Sequence, residues 1–505
     1  MTAGPQRPEQ HLAALPKGPE APVPRPAAPR DAPHRTPATQ KTPIRRADPG
    51  APCAGGRGLP ADRRARQDAR CGGTARSGAA AGRGPIRSDA TDQIRRPPVA
   101  WHDQASRDEL YRDPYELYAR ARRAEGLTYV PEFEAWLVAR DQDIREVLRR
   151  ADDFSSAGAL LPDITPAGPA LAVLADGFEP RPTVVSSDGA AHRRHRAPLN
   201  RGLAAGRVAA LAPYARECAR GLVDGFAADG SAELVEAYAR RLPGMVAGRL
   251  IGLEPADVPA AVLGGYRAEE LLFRPLPPDA QAAAARDVVA LQHLLDRCIG
   301  DHRADPREDL CSDMIAALAP GRGELTADQR HELVANLQNL LIAGFLTTSA
   351  LVSTTLLHLL SHPRQWRMLC ADPGLIPAAV EEGARFDTAL QAFRRRTTRP
   401  VVLAGTHLPA GACVLVAFGS GNRDERRYAR PDAFDIRRPE NRPHLAYGHG
   451  PHACPGARLA RLQLRVTLEV FTRALPGLRL DGDRPPPRMR PTLIDRSPEE
   501  LYAVW

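Results

Sequence analysis

The chain has no C-x-x-C pair, and its eight cysteines, at positions 53, 71, 218, 298, 311, 370, 413 and 454, are scattered with no zinc-like spacing. This argues against a disulfide scaffold and suits a reducing cytoplasm, where most thiols are small buried hydrophobes. No stretch reads as a secretory h-region or as a membrane span of roughly 20 apolar residues. The expectation is a cytoplasmic protein without a membrane anchor. There is no Gly-x-Gly-x-x-Gly fingerprint, hence no built-in nicotinamide or flavin domain, and no internal repeat. Residues 1–97 have no Phe, Tyr or Trp and are crowded with Pro, Ala, Gly and Arg. Such a segment buries too little apolar surface to offset its ordering entropy, so 1–97 is expected to be a disordered extension and 98–505 the folded domain.

The same segment accounts for the charge. The 505 residues hold 69 Lys+Arg and 60 Asp+Glu, a net of +9. Residues 1–97 contain 18 basic and 8 acidic residues, leaving 51 and 52 for the rest. The folded part is near neutral, and a nucleic-acid partner, suggested only by tail charge, is not expected.

What is present is concentrated at Tyr447-Gly448-His449-Gly450-Pro451-His452-Ala453-Cys454-Pro455-Gly456. Glycines let this loop turn tightly beside a flat ligand. Pro455 reads as the first residue of a helix, which places Cys454 at a helix N-terminus, where a thiolate is favoured. A thiolate is a soft ligand for iron, and His452 can aim a donor at an anionic edge of the same ligand.

This stretch resembles the haem-binding signature of the cytochrome P450 family, aromatic-Gly-x-Gly-x-His/Arg-x-Cys-x-Gly, with Tyr447 where the family usually has Phe. Three further motifs lie upstream in the family's order, and the resemblance spans roughly Trp101 to Trp505. It implies a mainly helical (α+β) haem-thiolate fold with a small β region, one haem b held by Cys454, and a monomeric monooxygenase of the soluble bacterial type. The implied reaction is hydroxylation or epoxidation of an apolar small molecule, with electrons from a ferredoxin and ferredoxin reductase. A composition rich in Ala, Arg and Pro fits a high-GC bacterium and a secondary-metabolite substrate. In this family a thiolate ligand favours O–O cleavage.

The resemblance then assigns roles along the chain. His192 and Arg196, four apart on one helix face, match a pair that meets haem propionates, as does Arg395, with its two arginine neighbours as alternatives. Tyr447, Gly448, His452 and Gly456 would complete the haem site. Asp328 to Leu360 reads as a long buried helix containing Ala343-Gly344-Phe345-Leu346-Thr347-Thr348, the counterpart of the oxygen-binding motif. Small Ala343 and Gly344 leave room for dioxygen, and Thr347 helps deliver protons. Leu346 replaces the family's acid and can neither organise water nor relay a proton. That departure keeps one alternative open, oxidative coupling, desaturation or peroxide-driven chemistry; a catalytically silent haem or ligand-binding protein is a second. Glu382 and Arg385 form the family's Glu-x-x-Arg pair, with Arg423 or Arg437 as a third partner. Leu340, Phe345, Ala389, Leu390 and Phe393 would line the substrate pocket. Residues 155–187 read as a long loop over that pocket, and 274–278 as a hinge where the family has a lid.

Overall fold

The computed structural model describes residues 104–162, 164–439 and 443–505, all within one unit, Ser88–Trp505. The expected disordered extension over 1–97 and the domain boundary at 98 lie outside the described residues.

One long helix organises the molecule. Ala327–Ser361 begins at a reciprocal cap: Thr326 Oγ1 accepts from the Gln329 amide (3.2 Å), and Gln329 Oε1 accepts from the Thr326 amide (3.0 Å). Its 35 residues carry an apolar window 72% buried inside the protein, the profile of a core helix. Around it pack Arg241–Ile251, Val258–Phe273, Pro278–Ala304, Ile376–Phe386 and Ala457–Ala474, and their inward faces make one continuous apolar core.

A five-stranded sheet stands to one side, in the order Thr128–Val130, Ala135–Val138, Cys413–Val416, Phe393–Thr397, Phe154–Ser155. Ala135–Val138 and Cys413–Val416 run parallel, and the other neighbours are antiparallel. Strand Phe393–Thr397 was not expected from sequence, because three consecutive arginines hide its period of two. The alternation decides which of them turns inward. Arg395, opposite Val414, is buried, whereas Arg396 is exposed.

Other expectations needed correction. The loop expected over 155–187 contains the short helix Gly168–Leu174. Pro243 lies in the first turn of Arg241–Ile251, where proline is tolerated. The chain enters that helix through strand Ser231–Glu233 and the π-helical turn Val235–Ala239. The hinge at 274–278 does separate two helices, Val258–Phe273 and Pro278–Ala304.

Candidate functional site

The cysteine loop is closed by the Cys454 amide donating to the Tyr447 carbonyl at 2.8 Å. Gly448 and Gly450 take φ of 69° and 72°, a left-handed conformation that side chains other than glycine's resist. The adjoining helix begins at Ala457, not Pro455; Pro455 and Gly456 form a turn, and Gly456 caps the helix. The amides of Gly456 and Ala457 at that helix start still interact with the sulfur. Burial raises the Cys454 thiol above its ordinary value, and those amides, Arg196 and Arg461 reduce that rise without reversing it. Its surface is nevertheless exposed. A thiol both exposed and enclosed by protein borders an interior cleft.

The long helix has a matching open stripe. Leu340, Ala343, Gly344 and Thr347 fall at i, i+3, i+4 and i+7, on one face. Ala343 is exposed and the other three are half-buried, as is Ile342, while Leu341, Phe345, Leu346 and Thr348 are buried. Thr347 Oγ1 donates to the Ala343 carbonyl at 3.1 Å, and Thr348 Oγ1 donates to the Gly344 carbonyl at 3.1 Å. Phe345 does not share this stripe. It is 0% exposed and packs on Tyr266 with ring centroids 4.9 Å apart. Leu346, 4% exposed, also turns into the core. Helical rotation of about 100° per residue separates both from Thr347.

Histidines and arginines gather beside the cysteine loop. His192, on helix Gly189–Gly202, stacks on His452 with centroids 4.0 Å apart, and its buried Nε2 has no hydrogen-bond partner. Burial, then the charges of His192 and Arg395, hold His452 down to about 3. Arg196 donates to the Ala453 carbonyl at 2.6 Å. Arg395 is buried and donates to the Arg394 carbonyl at 2.7 Å. Burial draws its guanidinium down to about 10, and Asp188 raises it slightly. Asp188 was missed by sequence reading. It accepts from the Ser156 amide at 2.9 Å and lies 3.9 Å from His452 Nε2.

Glu382 and Arg385 meet in a bidentate pair, both contacts 2.8 Å and both side chains 0% exposed. The third partner is Arg438, whose Nε lies 3.3 Å from Glu382 Oε1. Arg437 is one residue off, and Arg423 instead donates to the Phe386 carbonyl at 2.9 Å and stacks over Tyr115. Neighbouring Glu381 is bound by Arg461 at 2.7 and 3.0 Å. Of the remaining expected pocket residues, Ala389 is buried and Leu390 half-buried. Phe393 borders a small cavity of about 40 Å³ with Ala159 and Phe273.

Comparison with known proteins identifies the family. The family model described as Cytochrome P450 matches residues 266–372 and 374–500. Cytochrome P450 107B1 of Saccharopolyspora erythraea is 31% identical over 403 residues, covering 78% of this chain and 95% of that protein. The mycinamicin IV hydroxylase/epoxidase of Micromonospora griseorubida is 34% identical, covering 74% and 90%. The solved structure of cytochrome P450 CREJ in complex with (4-ethylphenyl) dihydrogen phosphate aligns with a TM-score of 0.73 at 29% identity, covering 78% of this chain and 98% of that one. The chain belongs to the cytochrome P450 family, as a haem b monooxygenase of the bacterial type.

Proposed function

We propose that this enzyme inserts one oxygen atom from dioxygen into an unactivated C–H or C=C bond of an apolar bacterial secondary metabolite. It would work in the cytoplasm, with electrons from a ferredoxin and its reductase. The observation that carries the reading is an accessible Cys454 in a glycine-turned loop flanked by Arg196 and by the His192–His452 pair. The hydroxylase/epoxidase activity in the name of the mycinamicin relative supports the reaction class.

The residues fit a flat, dianionic porphyrin. Cys454 would supply the thiolate for iron; two amides and two arginines offset part of the cost of burying that charge, and the metal would supply the rest. His192, Arg196, Arg395 and His452 supply donors for two propionates; the unsatisfied His192 Nε2 and the buried Arg395 guanidinium are groups that an anion would complete. Tyr447, Gly448 and Gly456 shape the loop beneath the ring. When bound, haem b supplies dioxygen activation and oxygen-atom transfer. Gly344 and Ala343 leave space at the open stripe, and the Thr347 hydroxyl holds a proton there by its bond to the Ala343 carbonyl. Leu340 lines the stripe, with Ala389 and Leu390 near the pocket.

A second reading, desaturation or oxidative coupling, draws on Leu346, which removes the acid from the motif. The test is to screen compounds for a haem spin-state shift, then turn over the best binder with ferredoxin, reductase, NADPH and ¹⁸O₂. One ¹⁸O atom in the product is expected. An unlabelled, oxidised product would overturn the reading in favour of the second.

A further inference from the structure

Far along the chain from the cysteine loop, two helices bring together Cys298, His302 and Cys311. Cys298 and His302 are four apart on Pro278–Ala304, hence on one face, and Cys311 lies in the first turn of Leu310–Leu318. All three are buried, and their ligand atoms lie within 4.8 Å of one another. The sulfurs are 3.9 Å apart, and Cys298 Sγ is 3.5 Å from His302 Nδ1. Tetrahedral zinc, with Zn–S about 2.3 Å and Zn–N about 2.0 Å, places two sulfurs about 3.8 Å apart and sulfur about 3.5 Å from nitrogen.

The imidazole is held in place from its far side. Its Nε2 lies 2.8 Å from Asp309 Oδ2, the carboxylate support that metal-bound histidines use. Asp309 is fixed in turn, because its Oδ1 accepts from the Ser312 amide at 2.9 Å and caps the helix. Gly252, at φ 99°, presses its backbone on the pair; a Cβ there would lie 2.6 Å from His302 Nε2. The other ring nitrogen, Nδ1, lies 2.8 Å from the Cys298 carbonyl oxygen, a backbone contact that a metal bound there would replace. A cavity of about 710 Å³, lined by Cys298, His302, Gly252 and Asp257, gives access from solvent.

We propose that Cys298, His302 and Cys311 form a binding site for a soft, tetrahedral divalent cation of the zinc class, with Asp309 orienting the imidazole. Binding changes no oxidation state: each thiol that becomes a ligand releases one proton to solvent, and the fourth position faces the cavity. Cysteine spacing alone does not reveal the site, because one ligand is a histidine and the third arrives from the next helix.

The test uses full-length, untagged, haem-loaded enzyme carrying Cys53→Ser and Cys71→Ser, so that those two thiols contribute nothing. After chelator treatment it is incubated with zinc chloride and gel-filtered, and zinc is counted against haem iron. We expect one zinc per haem, lost in Cys311→Ser and in His302→Ala. In the enzyme with all three ligands intact, zinc should protect Cys298 and Cys311 from alkylation, a readout independent of how the variants fold. No retained zinc, equal retention by the variants, or a Cys298–Cys311 disulfide in the enzyme as isolated would overturn the proposal.

Discussion

Replacing Leu346 by glutamate would put a carboxylate at a position 4% exposed, in the apolar core and off the open stripe of the long helix. The substitution that restores the family pattern is therefore expected to destabilise this protein, by at least about 2 kcal/mol. Leu346→Met should cost less than about 1.5 kcal/mol. Urea midpoints followed by circular dichroism check both, and an unchanged midpoint for Leu346→Glu would mean the side chain reaches water. In the proposed reaction Thr347 would act through its single hydroxyl, which bonds the Ala343 carbonyl on the open stripe. Thr347→Ala should keep haem content while diverting electrons to released hydrogen peroxide, measured as peroxide per NADPH consumed. At this scale the motif residues were legible because they are neighbours in sequence. The facing of Leu346 and Phe345 was not, since it depends on what the other helices bring to each side.

Among the elements, the helix Ile376–Phe386 ties the core to the chain that leads into the cysteine loop. Arg385 is 0% exposed, bonds Glu382 twice, and donates to the carbonyls of Asn422 and Pro431 at 2.8 and 3.0 Å. Arg385→Met should cost about 3–5 kcal/mol by stranding the Glu382 charge, read as a fall in denaturation midpoint. A loss below about 1 kcal/mol would show that Arg438 alone holds Glu382. The pair itself could be read from an i, i+3 spacing. Its third partner could not, because Arg438 arrives 56 residues later by chain topology. The short strands Ser231–Glu233, Arg479–Leu480 and Tyr502–Val504 escaped because they are too brief to alternate, and the first pairs with the last across more than 200 residues.

For the molecule as a whole, buried carboxylates set the response to acid. Burial alone would raise Glu381, but His444 and Arg461 outweigh it and hold the group at about 2. Asp387, buried among Arg496, His358 and Tyr115, also lies far below the usual range, against the same opposing burial. A carboxylate depressed in the folded state contributes stability that is full above its unfolded value, 4.5 for Glu381, and is lost as pH falls toward 2. Stability should therefore drop between about pH 4.5 and 2. Arg461→Met should shallow that drop, and identical pH slopes for the two proteins would contradict the assignment.

The mainly helical architecture was legible from patterning and the family motifs, since long apolar helices announce themselves by period. The cationic setting of the cysteine loop was legible only in part, because Asp188 and Ser156 reach it from a loop nearly 300 residues upstream.

All of this rests on sulfur ligation by residue 454, and one spectrum tests it most directly. The reduced carbon monoxide complex of the purified enzyme should show the thiolate-type Soret band, and Cys454→Ser should lose that band. The same band in the serine variant would contradict the account.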